Sequence, residues 1–514
     1  MKFVFAVLLL TGLVGLSNAQ TGAQCGGIPL TYCGPTNINS YSAAPPTLGA
    51  AGTTTTDPDF GTKSLRVTAS GYCGETAGYS YSPNGGDGWH SSWSLDDSKV
   101  LIMSESNNYY YQGINTSTSP ISLTGTCVQV KPAKFSYSPA FSHVTANKMY
   151  GFESDEQTLA SWDTVAADGV VALKNFSTIP GATWGANAAR IGEGDGNDAW
   201  FCYSNNGQEV GTQAVCWNQS TGNTQVLDLV AATSKQNSSA AVALDNLTTA
   251  QLAGCGIHEL TMSPDGLWEN VVMNNCTAFP VTGAPAGSGD MFWQLGTNHV
   301  TYLQAGFGTH DAMGFGGVYI NGSADQPPCA TYNAGWKMWP ASNPGTAGSP
   351  NYVSINPCIA STQENQDGHL SWLNNKNDAH VNAYPIIFMS NGPPGSTNLN
   401  GYLEWEIDAI QTAPALSLLK AGSFGVAANG TIWRLGHTFN APSPNQCAQM
   451  NYVSENVSPG GKYVLYTSDY QGGTGLNGDC TNGHRNDVFI LDATTQGSGP
   501  PAPVPPTNLT VTVQ

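Results

Sequence analysis

Four histidines follow a glycine by one or two residues, in Gly88-Trp89-His90, Gly256-Ile257-His258, Gly308-Thr309-His310 and Gly368-His369. A carboxylate stands near each, at Asp87, Glu259, Asp311 and Asp367. If folding brings these positions together, imidazole nitrogens and carboxylate oxygens would hold a divalent cation, and ligand type alone does not separate manganese, calcium, zinc and nickel. The other reading is structural. A histidine that recurs with a repeated unit also serves to hydrogen-bond one strand to the next.

A second candidate is Trp433-Arg434-Leu435-Gly436-His437-Thr438, which reads either as a functional loop or as an ordinary strand with polar flanks. The chain has four arginines, Arg66, Arg190, Arg434 and Arg485, so a site that needs a guanidinium draws on Arg190 or Arg434. Tyr109-Tyr110-Tyr111, Trp336 and Trp339 offer rings on which sugars stack, unless they are spent on packing. The sequence contains no Gly-x-Ser-x-Gly elbow, P-loop, His-Glu-x-x-His helix or dinucleotide fingerprint.

A repeat must position these residues. Gly256 to Gly266 reads as a strand, Gly-Ile-His-Glu-Leu-Thr-Met, closed by a Ser-Pro-Asp-Gly turn, and Trp268 to Met273 returns beside it. Related stretches precede Val100 to Met103, Phe315 to Ile320, Tyr384 to Met389 and Lys462 to Tyr466, and fainter copies lie near Tyr137 and between Trp184 and Tyr203. That makes seven. His258 and His310 are 52 residues apart and His310 and His369 are 59 apart, longer than the ~40–45 residues of compact propeller blades. Hairpins such as Val215 to Leu227 and Phe292 to Tyr302 supply outer strands. Such blades bury their faces by stacking radially, so the expected fold is all-β, a seven-bladed β-propeller of four-stranded antiparallel blades. Leu65-Arg66-Val67 and the strand from Asp487 to Asp492 are the partners that would close it.

Residues 1–19 have the pattern of a secretory signal peptide, with Lys2, an apolar run from Phe3 and small residues before Gln20. Residues 20–63 form a Gly/Thr/Pro-rich leader, 64–493 the propeller, and 494–514 a Pro-rich linker with a short tail. No stretch has the roughly 20 apolar residues of a membrane span. The 12 cysteines, an even number behind a signal, read as disulfides. Proximity pairs Cys25 with Cys33, Cys73 with Cys127, Cys202 with Cys216, Cys255 with Cys276, Cys329 with Cys358 and Cys447 with Cys480. Ten Asn-x-Ser/Thr sequons are acceptors if the secretory pathway is eukaryotic. The net charge of −19 disfavours nucleic acid and anionic membranes. An acidic polymer would need a bridging cation.

Through Ser263-Pro264-Asp265-Gly266 and Ser458-Pro459-Gly460-Gly461-Lys462-Tyr463, residues 64 to 492 resemble the WD40-like propellers that include oligogalacturonate lyase. In that lyase family a metal held by histidines and a glutamine neutralises a uronate carboxylate while a basic group removes the adjacent proton. The positions that match that family are His258, His310 and His369 for the imidazoles and Gln446 or Gln449 for the amide; together with the repeat pattern and the arginine count, the expected site has His90, His310, His369 and Gln449 as metal ligands and His258, Arg190 and His437 as catalytic groups. No His-x-His pair stands near those glutamines. The expectation is a secreted monomer that engages extracellular polysaccharide as a metal-assisted lyase of acidic sugars; the alternative is a non-catalytic propeller that binds glycan or protein.

Overall fold

Ser263 shows how several of the blades begin. Its hydroxyl donates to Asp265 Oδ1 at 2.7 Å and accepts from the backbone N–H of Leu267 and Trp268 at 3.2 and 2.9 Å. Gly266, at φ 65°, donates its N–H to the Ser263 carbonyl at 2.9 Å. One side chain thus satisfies donors that the turn leaves without strand partners. Ser94 repeats this, donating to Asp96 Oδ1 at 2.7 Å and accepting from Lys99 N at 2.9 Å. In the third blade Asp195 takes the serine's place and accepts from the N–H groups of Ala199 and Trp200 at 2.7 and 3.2 Å. That substitution is why the copy is faint in the sequence.

The computed structural model describes residues 32, 34, 36, 44–83, 91–166, 169–185, 191–280, 287–304, 311–322, 336–355, 370–376, 381–389, 405–428, 430–440, 455–475 and 484–495. These residues form a seven-bladed β-propeller of antiparallel, basically four-stranded blades. From the axis outward, blade one runs Tyr81–Pro83, Lys99–Ser104, Tyr109–Asn115, Ser122–Lys131, and blade two Tyr137–Phe141, Lys148–Phe152, Thr158–Asp163, Val171–Asn175. Blade three starts Gly192–Gly194, Trp200–Ser204, Gln213–Asn218, Thr224–Asp228 and adds two short outer strands. Blade four is Gly256–Met262, Trp268–Asn274, Gly289–Gln294, Val300–Tyr302. Blade five is Asp311–Gly314, Val318–Gly322, Trp336–Pro340, Val353–Ser354, with Val426–Ala427 added in parallel. Blade six is Leu370–Ser371, Ile386–Met389, Glu406–Ile410, Ile432–His437.

Blade seven draws on both ends of the chain. Glu455–Val457, Tyr463–Ser468 and Asp487–Asp492 are completed by Lys63–Arg66, with Leu65 opposite Ile490 and Arg66 opposite Phe489. This is the expected closure. The sheet reaches further back than Ser64, because Thr54–Thr56 pairs with Lys63–Arg66 as a fifth strand. Tyr32 is also buried, its hydroxyl donating to the Gly461 carbonyl at 2.6 Å. Parts of the stretch read as a leader therefore belong to the ring. Among the described residues the one α-helix is Ala413–Lys420, which packs Ala415, Leu416 and Leu419 against blades five and six.

Between blades, the turns that follow the inner strands lock to one another. Gly196 donates to the Pro264 carbonyl at 3.0 Å, Gly316 to Asp265 Oδ2 at 2.6 Å and His143 to Asp198 Oδ1 at 3.0 Å. Three predicted disulfides are present, Cys73–Cys127, Cys202–Cys216 and Cys255–Cys276. The other three pairs involve cysteines outside the described residues. Trp336 and Trp339 are buried and Tyr110 nearly so, while Tyr109 and Tyr111 pack on the core of blades one and two. Their rings are spent on packing, the second of the two readings the sequence allows. Asn456, a sequon, is also fully buried, accepting from Ser92 N at 3.2 Å.

Candidate functional site

Of the seven sequence-predicted site residues, His258 and His437 lie among the described residues; His90, Arg190, His310, His369 and Gln449 lie outside them. The two described histidines are not neighbours. One stands at the inner strand of blade four and the other at the outer strand of blade six.

His258 owes its direction to a β-bulge. Ile257 pairs with Met273 and Glu259 with Val272, so His258 is the extra residue, turned out of the regular alternation. Its ring is about a fifth exposed. Nδ1 lies 3.1 Å from Glu209 Oε1 and 3.1 Å from Asn274 Nδ2, and Nε2 lies 3.4 Å from Glu259 Oε1. Glu209 comes from the loop between the second and third strands of blade three, so two blades meet at this imidazole. Glu209 keeps a lowered pKa, chiefly through the hydrogen bond from Asn274, with His258 adding to it. The result is a partly exposed imidazole set between two carboxylates, next to amide groups that can exchange partners with a ligand.

Deeper in, the inner strands bring together carboxylates that the sequence did not single out. Glu193 of blade three is buried and receives an ion pair from Lys376, which follows the inner strand of blade six and also donates to the Met262 carbonyl at 3.2 Å. Thr261, Asp311 and Trp372 line the same small internal pocket. Burial pushes the Glu193 carboxyl up to about 7 even though Lys376 opposes the shift. Glu269 is buried beside this pair and held well above the usual carboxylate range, first by burial and then by the Glu193 charge. Asp311, named above for its closeness to His310, accepts from Asn270 Nδ2 at 2.7 Å and Thr261 Oγ1 at 3.2 Å. It is thereby tied to blade four.

At the rim, His437 closes the outer strand of blade six against the turn at Asp57, between the two N-terminal strands of blade seven. Asp57, Asp59 and His437 each offer a ligand atom within 4.8 Å of the others. His437 Nδ1 is 3.0 Å from Asp57 Oδ2, and its Nε2 is 4.0 Å from both Asp59 Oδ2 and Glu406 Oε1. Burial alone would lower the His437 pKa, but the Asp57 hydrogen bond and charge, with Glu406 and Asp59, hold it above the usual value. Arg434 is fully buried and pairs with Glu406 through both Nε, at 2.7 Å, and Nη2. That pairing removes it as a substrate-binding guanidinium. Asp57, Asp59 and Glu406 escaped sequence reasoning; the one local signal is Asp57-Pro58-Asp59, two carboxylates astride a turn-forming proline.

The architecture places the chain among seven-bladed β-propellers. No known family profile matches it, and no curated protein does. Solved structures do match. An oligogalacturonate lyase in complex with manganese is 10% identical, with a TM-score of 0.44, covering 88% of this chain and 98% of that one. The oligogalacturonate lyase of Vibrio parahaemolyticus is 10% identical with a TM-score of 0.40, over 87% and 98% of the two chains. The C-terminal WD40 domain of Sif2 is 10% identical with a TM-score of 0.35, over 80% and 96%. At these identities the likeness concerns the fold.

Proposed function

We propose that the protein is an exported β-propeller that engages an extracellular polysaccharide at the face of the ring where His258 stands, and that it acts on acidic sugars as a metal-assisted lyase. The observation that carries this reading is the bulged, partly exposed His258 imidazole between Glu209 and Glu259. In a lyase this group takes the proton beside the uronate carboxylate; the freed electron pair forms the ring double bond as the glycosidic C–O bond breaks and its oxygen leaves as a hydroxyl, protonated by water. A cation is required, because the chain carries a net charge of −19 and its sugar ligand is also negative. Manganese, calcium and zinc are the candidates. The signal-like N-terminus and the three disulfides support export.

The test is ultraviolet absorbance of unsaturated products after incubation with pectate, alginate or ulvan, with and without manganese, calcium or zinc. Product is expected with one of these polymers, and His258→Ala should abolish it. Retention on an immobilised polymer without product would favour the non-catalytic alternative, a propeller that binds glycan or protein. Neither product nor retention on any of the three would remove the polysaccharide reading altogether.

A further inference from the structure

The rim cluster at His437 has a ligand arrangement that its own hydrogen bonds reveal. Asp57 Oδ1 accepts from the N–H groups of Asp59 and Phe60 at 2.9 and 3.0 Å, and its Oδ2 accepts from His437 N at 2.7 Å and faces His437 Nδ1. Its lone pairs are committed. Asp57 therefore orients rather than ligates: it accepts the hydrogen bond of the Nδ1 proton and points Nε2 at Asp59 and Glu406. The ring is held in that pose by Phe60 and Phe439, with centroids at 4.8 and 5.4 Å. His437 is about 1% exposed at its side chain, and Nε2 makes no hydrogen bond among the described residues; its nearest acidic oxygens are 4.0 Å away. Asp59 Oδ2, one of those oxygens, is buried and also has no hydrogen-bond partner. Two polar atoms thus face each other across a gap too wide for a hydrogen bond.

We propose that this gap is a structural site for a single first-row divalent cation of the zinc or manganese type, with His437 Nε2 and Asp59 Oδ2 as protein ligands and water completing the coordination. Tetrahedral ligands at about 2.0–2.2 Å from zinc stand roughly 3.3–3.6 Å apart, so the gap between His437 Nε2 and Asp59 Oδ2 closes by about half an ångström. Once the ion replaces the Nε2 proton, Asp57, Asp59 and Glu406 against Arg434 leave two negative charges, which one divalent ion balances. Asp59, the partly exposed member of the set at 18%, gives the entry path and room for a water as a further ligand. An imidazole nitrogen disfavours calcium, which takes oxygen ligands. The bound ion would tie the N-terminal turn of blade seven to the outer strand of blade six. This site is independent of the face at His258, and its test uses no sugar.

The full-length protein is dialysed against chelator and titrated by calorimetry with zinc, then manganese, with calcium as control, and thermal unfolding is followed in parallel. Expected are one zinc or manganese ion per chain, a rise in Tm that grows with metal concentration, and a much weaker response to calcium. In Asp59→Asn the metal-free Tm stays within a few degrees of the parent's while binding falls at least tenfold and the metal-induced rise disappears. Absence of binding at millimolar zinc and manganese overturns the proposal. So does binding that Asp59→Asn leaves intact, since the ion would then sit elsewhere.

Discussion

Glu193 makes stability depend on pH in a direction opposite to that of ordinary paired carboxylates. Its folded pKa is about 7 against a usual value near 4.5, because burial outweighs the attraction of Lys376. Below pH 4.5 both the folded and unfolded states hold the proton and stability is at its fullest. Between 4.5 and 7 the folded state keeps a proton that the unfolded chain has released, so stability falls as pH rises and levels off above 7. At 1.36 kcal/mol per unit, the part of this shift that lies between pH 5 and pH 8 amounts to about 2–3 kcal/mol. For a ring of about 430 residues, whose unfolding entropy is roughly 0.9 kcal/mol per degree, that is a fall in Tm of about 3 °C from this group alone. Asp195 and Asp97, each pushed up to about 6 by burial, add to the slope in the same direction. The assay is thermal unfolding by tryptophan fluorescence at pH 5, 6, 7 and 8 for the parent and Glu193→Gln. The parent should lose Tm steadily, and the variant should lose about 3 °C less over the range. A parent curve that is flat or rises toward pH 8, or a variant with the parent's slope, would refute the reasoning.

Two further outcomes follow from the packing. A Cβ on Gly196 would lie 1.7 Å from the Lys376 carbonyl oxygen and 2.9 Å from that of Pro264, both backbone atoms of other blades. Gly196→Ala should therefore cost about 3 kcal/mol or more, read as a lower urea midpoint, whereas Gly222→Ala meets no atom within 4 Å and is strained only by its positive φ. Cys202 and Cys216 face each other in register on neighbouring strands, 14 residues apart in sequence. Replacing both with serine should destabilise by about 3 kcal/mol, also measured by urea unfolding.

The turns made the architecture legible. Ser263, Ser94 and Ser458 cap the same hairpin with the same bonds, so a pattern of residue types translated directly into a repeated unit. The partner strands that close the ring were readable for a similar reason, as two apolar stretches each needing a neighbour. The sites were far less readable. Glu193 and Lys376 are 183 residues apart and Asp57 and His437 are 380 apart, and each pair meets only because blades return to the axis or the ring returns to its start. No local spacing encodes such a meeting. The strand Thr54–Thr56 was missed because three residues carry no alternation, and its place comes from pairing with Lys63–Arg66. Trp336 and Trp339 are the converse case, since residue type suggested a sugar platform while the strand Trp336–Pro340 turns both rings into the core.

The seam of blade seven also sets the order in which the molecule can be completed. Arg66 and Asp487, joined there by an ion pair, are 421 residues apart, and Asp487 is shared with Arg485 at 3.0 Å. Joining ends so distant carries a loop entropy of about 5 kcal/mol before any constant, which local hairpins do not face. The four main strands of each of blades one to six come in consecutive order and can assemble as the chain emerges. Lys63–Arg66, among the earliest of these strands to be made, pairs with Thr54–Thr56 along one edge, but its other edge stays open until Asp487–Asp492 arrives near the end of synthesis. A nascent chain stalled before that point leaves two uncovered edges in blade seven, one on Lys63–Arg66 and one on Tyr463–Ser468. The long wait for this one strand pair makes sealing of the ring the step most open to interference by chaperones, proteases or a neighbouring copy of the chain.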